Sequence, residues 1–315
     1  MDQRTNILVT GHRGMVGRTF MGVLEERGFS SAVGASRKEC DFTDAAQVKR
    51  LFETTKPQVV FHFAAKVGGI QANRTQPADF LHQNLAIQNN VIRQSVESRV
   101  AKLVFLGSSC IYPRECPQPM KEGYLLTGPL EPTNEAYALA KIAGLRYAQY
   151  AHSQYGLDCI NPMPCNLYGP NDTFDLERSH VLSALVRRFV DAQASGAPAV
   201  KLWGTGNARR EFLHVRDLAE ALLFLVERYH SPEIINVGTG EDQSIRELAA
   251  MVAEAVGYRG RTEWDPAMPD GMPRKCLDVT RLATLGYRPR ISLRDGIREV
   301  VAEYRALREA NAETH

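Results

Sequence analysis

A strand-like run, Ile7-Leu8-Val9-Thr10, leads directly into Gly11-His12-Arg13-Gly14-Met15-Val16-Gly17, and a segment with helical spacing follows. Glycines at these positions let the backbone approach a pyrophosphate, and the N-terminus of the following helix favours its negative charge. Glycine patterns also occur in ordinary turns, but a preceding strand and a following helix are typical of dinucleotide sites. We therefore predict a dinucleotide site that all seven residues from 11 to 17 contact.

Short apolar runs alternate with helical segments through the first half of the chain. The predicted strands cover 7–10, 32–36, 59–63 and 103–106, and the predicted helices cover 14–27, 79–98 and 135–155. Such alternation is typical of parallel strands joined by right-handed crossovers. The predicted fold is therefore α/β, with a doubly wound parallel sheet of the Rossmann type.

The second half is less regular and contains no further glycine loop of this kind. Ser179 is a candidate N-cap for one helix, and Ser244 with Glu247 forms a capping box for another. We predict a dinucleotide-binding domain of the Rossmann type over residues 1–165. Residues 166–315 are expected to form mainly a smaller α/β substrate-binding lobe, although the chain can cross between lobes more than once. The active site should lie in the crevice at the carboxyl ends of the strands.

Composition limits the classes of partner. The chain has 315 residues, is 44% hydrophobic and carries a net charge of +2 at pH 7. A nearly neutral chain indicates no nucleic-acid partner and no anionic membrane surface. No apolar run approaches the roughly 20 residues that span a bilayer, and no signal peptide is recognisable, so we expect a cytoplasmic protein. The six cysteines show no metal-ligand spacing, which predicts free thiols and no metal site.

Two arginines indicate the type of cofactor. Arg13 lies inside the glycine loop, and Arg37 follows the second predicted strand. Guanidinium groups bind phosphate oxygens in pairs, which suits the 2′-phosphate of NADP(H). Both side chains could instead be ordinary solvated arginines. We favour NADP(H) as the cofactor.

The helix predicted over 135–155 contains Tyr137-Ala138-Leu139-Ala140-Lys141. Residues four apart share a helical face, so the lysine ammonium is expected to lower the pKa of the tyrosine phenol. Ser108 ends the strand before it and could bind a developing alkoxide together with Tyr137. Tyrosine and lysine are common on helices, and serine is common in turns. Together with the glycine loop, however, they predict a Ser–Tyr–Lys reductase.

Eight stretches spread along the chain have a recognisable pattern. They are GHRGMVG from Gly11, AAKVGGI from Ala64, LGSSCIYP from Leu106, LEPTNEAYALAKIAG from Leu130, NLYGPND from Asn166, REFLHVRDLA from Arg210, INVGTG from Ile235 and PDGMPRK from Pro269. In these stretches the sequence resembles the GDP-L-fucose synthases, a family of extended short-chain dehydrogenase/reductases. AAKVGGI and GSSCIYP are much more specific than the Tyr–Lys spacing.

The resemblance implies a reaction. The substrate would be GDP-4-keto-6-deoxy-D-mannose, whose C3 and C5 are epimerised before NADPH reduces C4. A 4-keto group acidifies the protons on both neighbouring carbons, so one carbonyl-binding site can serve every step. The resemblance assigns the acid and base of epimerisation to Cys110 and His180. Without it, Cys110 would be read as a buried apolar residue and His180 as a surface residue.

The resemblance also implies binding residues and an assembly. Substrate contacts would come from Arg188, Trp203, Arg210 and Asp270. Further cofactor contacts would come from Leu106, Gly107, Lys141, Pro164, Asn166, Leu167 and His180. Cys165 stands where a hydroxyl residue is expected, which affects fine cofactor contacts and not the reaction type. The helices over 79–98 and 135–155 resemble those that pair in the homodimers of this superfamily.

Two alternatives stay open from the sequence alone. A related enzyme could reduce another GDP-4-keto sugar, such as a keto-heptose or a dideoxy sugar, with fewer epimerisations or none. A non-catalytic NADP-binding regulator could share the fold, but it would be free to lose Ser108, Tyr137 or Lys141, and all three are present.

Overall fold

The computed structural model describes residues 1–175, 179–268 and 270–312. Its strands are β1 (Ile7–Thr10), β2 (Ala32–Ala35), β3 (Val59–His62), β4 (Lys102–Phe105), β5 (Cys159–Pro164), β6 (Asn166–Tyr168), β7 (Ala199–Trp203), β8 (Arg209–His214), β9 (Ile234–Val237), β10 (Asp242–Ser244), β11 (Arg261–Asp265) and β12 (Arg274–Lys275). Its helices are α1 (Met15–Glu26), α2 (Ala45–Thr55), α3 (Ile70–Thr75), α4 (Pro77–Glu97), α5 (Glu135–Tyr155), α6 (Val181–Ser195), α7 (Val215–Arg228), α8 (Ile245–Val256), α9 (Thr280–Thr284) and α10 (Leu293–Ala312). Short 3₁₀ turns cover Ser109–Ile111 and Glu122–Tyr124.

The larger sheet has the strand order β2-β1-β3-β4-β5-β9, and every pair in it is parallel. Strands β1, β3 and β4 are buried along their whole length, because helices cover the sheet. Helix α1 packs beside α7, and α4 packs beside α5. The order reverses between β1 and β3, which places a ligand crevice at their carboxyl ends. The predicted doubly wound α/β fold is confirmed.

The smaller lobe is built around β8, which pairs with β6 and β12 in parallel and with β10 antiparallel. A separate parallel pair joins β7 to β11. Helices α6, α8 and α10 enclose a second apolar core that includes Phe189, Val252 and Val300. The chain returns to the larger sheet with β9. The boundary at residue 165 stays a prediction.

The sequence predicted the N-cap of α8 correctly and the N-cap of α6 wrongly. The capping box of Ser244 and Glu247 is present at the start of α8, as predicted. At α6, by contrast, the N-cap is His180, so the prediction that Ser179 caps this helix is wrong. The Ser179 amide donates to Asp175 O at 2.7 Å instead. Among the described residues, its buried hydroxyl has no partner.

Candidate active site

The glycine loop is shaped so that side chains are excluded from it. Gly11 has φ +76°, and a Cβ atom there would lie 2.8 Å from the amide nitrogen of Ala64. A Cβ atom at Gly17 would lie 2.3 Å from Gly11 O. Gly14 is the N-cap of α1 and has no side chain with which to cap its free amides. The helix N-terminus therefore faces the loop with unshielded N–H groups, which fits a pyrophosphate.

At the end of β2, the structure contains a carboxylate that the sequence did not reveal. Glu39 pairs with Arg13 and accepts hydrogen bonds from Ser36 N at 2.9 Å and Ser36 Oγ at 2.5 Å. These Ser36 bonds, followed by the Arg13 charge, lower the pKa of Glu39 to about 2. Arg37 is exposed beside them. The predicted phosphate-binding arginines therefore share one edge of the sheet with an ionised carboxylate.

Predicted cofactor residues on β4 and β5 lie side by side. Gly107 N donates to Pro162 O at 2.9 Å, and a Cβ atom at Gly107 would lie 2.1 Å from Met163 Sδ. Leu106 and Pro164 lie at the carboxyl ends of these two strands. The structure thus brings the predicted residues of two separate motifs to one edge.

Asn166 and Leu167 lie on β6, directly after that edge, and pair with β8 of the smaller lobe. Asn166 Nδ2 donates to Glu211 O at 2.8 Å. Cys165 between β5 and β6 is buried and, in the described chain, forms no disulfide. These two predicted cofactor residues therefore line the junction between lobes.

Tyr137 and Lys141 lie one helical turn apart on α5. Lys141 Nζ donates to Leu106 O at 2.8 Å and lies 5.9 Å from the centroid of the Tyr137 ring. Burial lowers the pKa of Lys141 to about 8, against the opposing influence of Cys110. Burial, with Cys110, raises the pKa of Tyr137. The prediction that the ammonium lowers the pKa of Tyr137 is therefore wrong, because desolvation of the phenolate dominates. The neutral phenol can donate a proton.

Ser108 and Cys110 lie at the turn that follows β4. Ser108 precedes the 3₁₀ turn, and its hydroxyl accepts from Cys110 N at 3.3 Å. The thiol Sγ accepts from Asn134 Nδ2 at 3.3 Å and from Lys275 Nζ at 3.7 Å. Neither of these two neighbours was predicted from the sequence. Asn134 directly precedes the predicted Tyr–Lys helix and Lys275 ends the PDGMPRK stretch, but neither position showed which side chain it meets.

His180 is exposed at the start of α6. Within the described parts of the chain, no hydrogen bond joins its ring to Cys110. The structure therefore shows no direct hydrogen bond between the predicted acid and the predicted base among the described residues. This agrees with their proposed roles, because an acid and a base on opposite faces of a sugar ring would not touch each other.

The predicted substrate residues lie around the edge of the smaller lobe. Trp203 ends β7 with 67% of its surface exposed, so its indole is available for stacking. Asp270 accepts from Thr205 N at 2.7 Å and Thr205 Oγ1 at 2.6 Å, next to that tryptophan. Arg188 on α6 donates to Lys201 O at 3.4 Å. Pro269, the first residue of the PDGMPRK stretch, lies outside the described residues.

Arg210 is the most enclosed of the predicted substrate residues. Its Nη1 donates to Met272 O at 2.6 Å and to Arg209 O at 2.8 Å. Burial lowers its pKa, and the charges of Asp270 and Glu131 oppose that effect. Glu131 belongs to the segment before α5 in the larger lobe, so its influence on Arg210 shows that this guanidinium lies at the crevice between the lobes. There it can bind a diphosphate.

The described part of the chain offers neither a metal cluster nor a membrane-spanning helix. Across the described ranges, no three His, Cys, Asp or Glu side chains form a group that could hold a metal ion. None of the helices described has the length and apolarity to cross a bilayer.

Comparison with known proteins places this geometry in a family. Residues 7–238 match the family described as NAD dependent epimerase/dehydratase. GDP-L-fucose synthase 1 of Arabidopsis thaliana is 52% identical over 96% of this chain and 94% of that protein. A crystal structure of a GDP-6-OMe-4-keto-L-xylo-heptose reductase from C. jejuni superposes with TM-score 0.91 and 34% identity over 98% of this chain and 99% of that chain.

A gdp-l-fucose synthetase from Naegleria fowleri, crystallised with NADP bound, superposes with TM-score 0.89 and 27% identity over 98% of this chain and 96% of that chain. The glycine loop, the Ser–Tyr–Lys group and the Cys110 thiol are thus found in a chain that is similar to these proteins over nearly its full length. The chain belongs to the NAD dependent epimerase/dehydratase family and to its GDP-L-fucose synthase branch.

Proposed function

We propose that this protein converts GDP-4-keto-6-deoxy-D-mannose to GDP-L-fucose by epimerising C3 and C5 and reducing C4 with NADPH. One observation carries the proposal: the Cys110 thiol accepts a hydrogen bond at 3.3 Å from Asn134 Nδ2, at the start of the helix that carries Tyr137 and Lys141. A simple reductase needs no thiol beside its proton donor. The named relative, a GDP-L-fucose synthase, supports the choice of substrate.

The reduction uses groups that surround one carbonyl oxygen. Ser108 and the neutral phenol of Tyr137 hydrogen-bond that oxygen, and Tyr137 gives up its proton as the oxygen becomes an alcohol. The ammonium of Lys141 stabilises the phenolate that is left behind. NADPH, when bound at the glycine loop, supplies the hydride that C4 receives. The glycine contacts and the free amides of α1 fit such a dinucleotide.

The same oxygen contacts serve the epimerisations. When Ser108 and Tyr137 polarise the ketone, the protons on C3 and C5 become acidic, and the enolate oxygen is stabilised by the same bonds. Cys110 as thiolate removes a proton from one face, and His180 returns a proton to the other. The assignment of His180 rests on the resemblance and on its position at the start of α6.

A second candidate has one observation in its favour, the likeness to a GDP-keto-heptose reductase from C. jejuni. Such an enzyme would reduce C4 of another GDP-sugar. The stereochemistry of the product distinguishes the two candidates. A non-catalytic regulator would oxidise no NADPH with either substrate.

The identity of the product and the effect of replacing Cys110 test the proposed reaction. The protein with NADPH should convert GDP-4-keto-6-deoxy-D-mannose to GDP-L-fucose, identified by NMR. Cys110→Ser should slow epimerisation by at least ~100-fold, because a serine hydroxyl is a poor base at neutral pH. Its affinity for NADPH should not change. Cys116→Ser is the matched control and should behave as the parent. Unchanged epimerisation in Cys110→Ser would refute the role of this thiol.

We also propose that Arg13 and Arg37 bind the 2′-phosphate of NADPH. Arg13 is already held beside the end of β2 by Glu39, and Arg37 is exposed next to it. A planar guanidinium can bind a phosphate through two hydrogen bonds. Glu39, ionised at neutral pH, orients Arg13 and competes for it, so the phosphate must displace or share that contact.

The second prediction tests cofactor selection. Arg13→Ala with Arg37→Ala should lower kcat/KM for NADPH by roughly 10- to 100-fold, the effect of one or two charge-assisted bonds. The value for NADH should change little. Arg50→Ala, an exposed arginine on α2, serves as the control. Equal or better turnover of NADH by the parent protein would contradict the proposal.

A homodimer is the assembly that we propose. Helices α4 and α5 lie side by side, and Gly144 permits this close approach because a Cβ atom there would lie 2.5 Å from the Gln88 side chain. On the outer side of α5, Leu139 is 43% exposed and Tyr150 is 64% exposed. Their positions differ by eleven, which is about three helical turns, so both project from one helical face. A symmetric pairing would bury this face.

We further propose a cytoplasmic location, a compartment that keeps thiols free.

The third prediction concerns this assembly. Light scattering should give the mass of two chains for the parent and of one chain for Leu139→Glu/Tyr150→Glu, because buried carboxylates oppose association. Leu307→Glu alters an equally apolar residue on α10, 46% exposed, and should stay dimeric. A monomeric parent, or a double variant of unchanged mass, would contradict the proposed interface.

A further inference from the structure

The thiol of Cys110 is contacted from two lobes. Asn134 Nδ2, directly before α5, donates to Sγ at 3.3 Å. Lys275 Nζ, on β12 of the smaller lobe, lies 3.7 Å from the same sulfur. We propose that Lys275 holds Cys110 as the thiolate base of epimerisation while Asn134 positions the sulfur, so that β12 completes the epimerase half of the site. This inference rests on the proposed function.

The described contacts of the sulfur include a cation, the Lys275 ammonium. In the described part of the chain, Cys110 is the only side chain that accepts a hydrogen bond from Lys275, and no carboxylate forms an ion pair with this lysine. On the side of α5, Cys110 acts electrostatically on Tyr137 and Lys141 and raises the pKa of both groups. An ammonium within hydrogen-bond distance stabilises a thiolate relative to a thiol. Lys275 therefore places a cation within hydrogen-bond distance of the thiol.

The other titratable groups near Lys275 do not compete for its charge. Its field acts on Cys116, after β4, and on Cys165, between β5 and β6. Burial raises the pKa of both thiols, so both stay neutral at physiological pH. Tyr137 is neutral as well, because burial raises its pKa. Among the described neighbours, Cys110 is therefore the group on which this charge acts most directly.

Lys275 is held in place by its backbone and its neighbours. β12 pairs with β8 in the register Lys275↔Arg210. On one side of it, Arg274 forms an ion pair with Asp242. On the other side, Leu277 N donates to the buried Glu211 Oε2 at 2.8 Å, and Cys276 N donates to Gln118 Oε1 at 3.0 Å. Because Gln118 belongs to the larger lobe, the segment around Lys275 is fixed to both lobes.

Asn134 links the sulfur to the reductase groups. Its backbone oxygen accepts from Ala138 N at 3.0 Å in the first turn of α5, the helix of Tyr137 and Lys141. Asn134 Nδ2 therefore sets the position of Sγ relative to the proton donor. Its buried Oδ1 has no partner within the described residues.

Epimerisation by the Cys110 thiolate is a proton transfer and needs no further reactant. The thiolate takes a proton from the carbon next to the ketone: the C–H bond breaks, an S–H bond forms, and the electron pair passes to the enolate oxygen held by Ser108 and Tyr137. The acid on the other face then protonates the carbon. An ammonium at the position of Lys275 interacts more strongly with the thiolate than with the thiol.

Alkylation of Cys110 tests this proposal without substrate or cofactor. The parent for the experiment carries Cys116→Ser, and the rate at Cys110 is followed with iodoacetamide by peptide mass spectrometry across pH. In Lys275→Met, the midpoint of the rate profile should move upward by about one pH unit, the effect of removing one adjacent charge. Lys275→Arg should restore much of the shift. Lys49→Met, an exposed lysine on α2, should leave the profile unchanged.

A second measurement separates this inference from the proposed function. With GDP-4-keto-6-deoxy-D-mannose in D₂O, Lys275→Met should take up deuterium at C3 and C5 at least ~10-fold more slowly, in proportion to the lost thiolate. Its affinity for NADPH should be unchanged, and Lys275→Gln replaces it if it fails to fold. Superimposable alkylation profiles of parent and variant would overturn the Lys275 proposal. A shifted profile with no deuterium uptake, even in the parent, would refute the proposed function and leave the ion pair standing.

Discussion

The site depends on an ammonium group that is buried at the carboxyl end of the central sheet. The bond from Lys141 Nζ to Leu106 O, at 2.8 Å, fixes α5 to the end of β4. Burial and the Lys141 charge together lower the pKa of the neighbouring His62 to about 3, so that imidazole is neutral. The ammonium therefore supplies positive potential where Ser108 and Tyr137 would hold a ketone oxygen. Both epimerisations and the reduction develop negative charge at that oxygen.

The smaller lobe supplies two cations to the site. It contributes Lys275 beside the thiol and Arg210 across the crevice from Glu131. Strand β8 connects these contributions, because β12 pairs with it and Arg210 belongs to it. The buried Glu211 follows Arg210 on the same strand and binds Gly240 N at 2.7 Å as well as Leu277 N. Strand β8 thus positions both Arg210, the proposed substrate contact, and Lys275, the cation beside the Cys110 thiol.

What the sequence could predict was mostly local. The glycine loop, the alternation of strands and helices, and the capping box at Ser244 depend on residues close together in the chain, and the structure has each of them. The Ser179 cap was wrong because Ser, Asn and Asp are only preferences at N-caps, and the helix starts one residue later. The pKa of Tyr137 was wrong because spacing along a helix reveals the neighbouring lysine but not the extent of burial.

Contacts between distant segments could not be predicted in this way. Lys275 and Cys110 are 165 residues apart, and they meet because the segment around Lys275 is bonded both to β8 and to Gln118 of the larger lobe. Glu39 is near Arg13 only because β2 lies beside β1. The family resemblance supplied the roles of Cys110 and His180 without showing which groups adjust them. The neighbours of Arg13 and of Cys110 therefore depend on contacts between segments that are distant in the sequence.

One carbonyl site should serve both epimerisation and reduction, and isotope labelling of the product in D₂O with unlabelled NADPH shows whether it does. The product of the unaltered protein should carry deuterium at C3 and C5 and protium at C4. In Tyr137→Phe, uptake at C3 and C5 and reduction at C4 should slow together. Full-rate uptake of deuterium in a variant that no longer reduces C4 would show instead that the two reactions use separate carbonyl contacts.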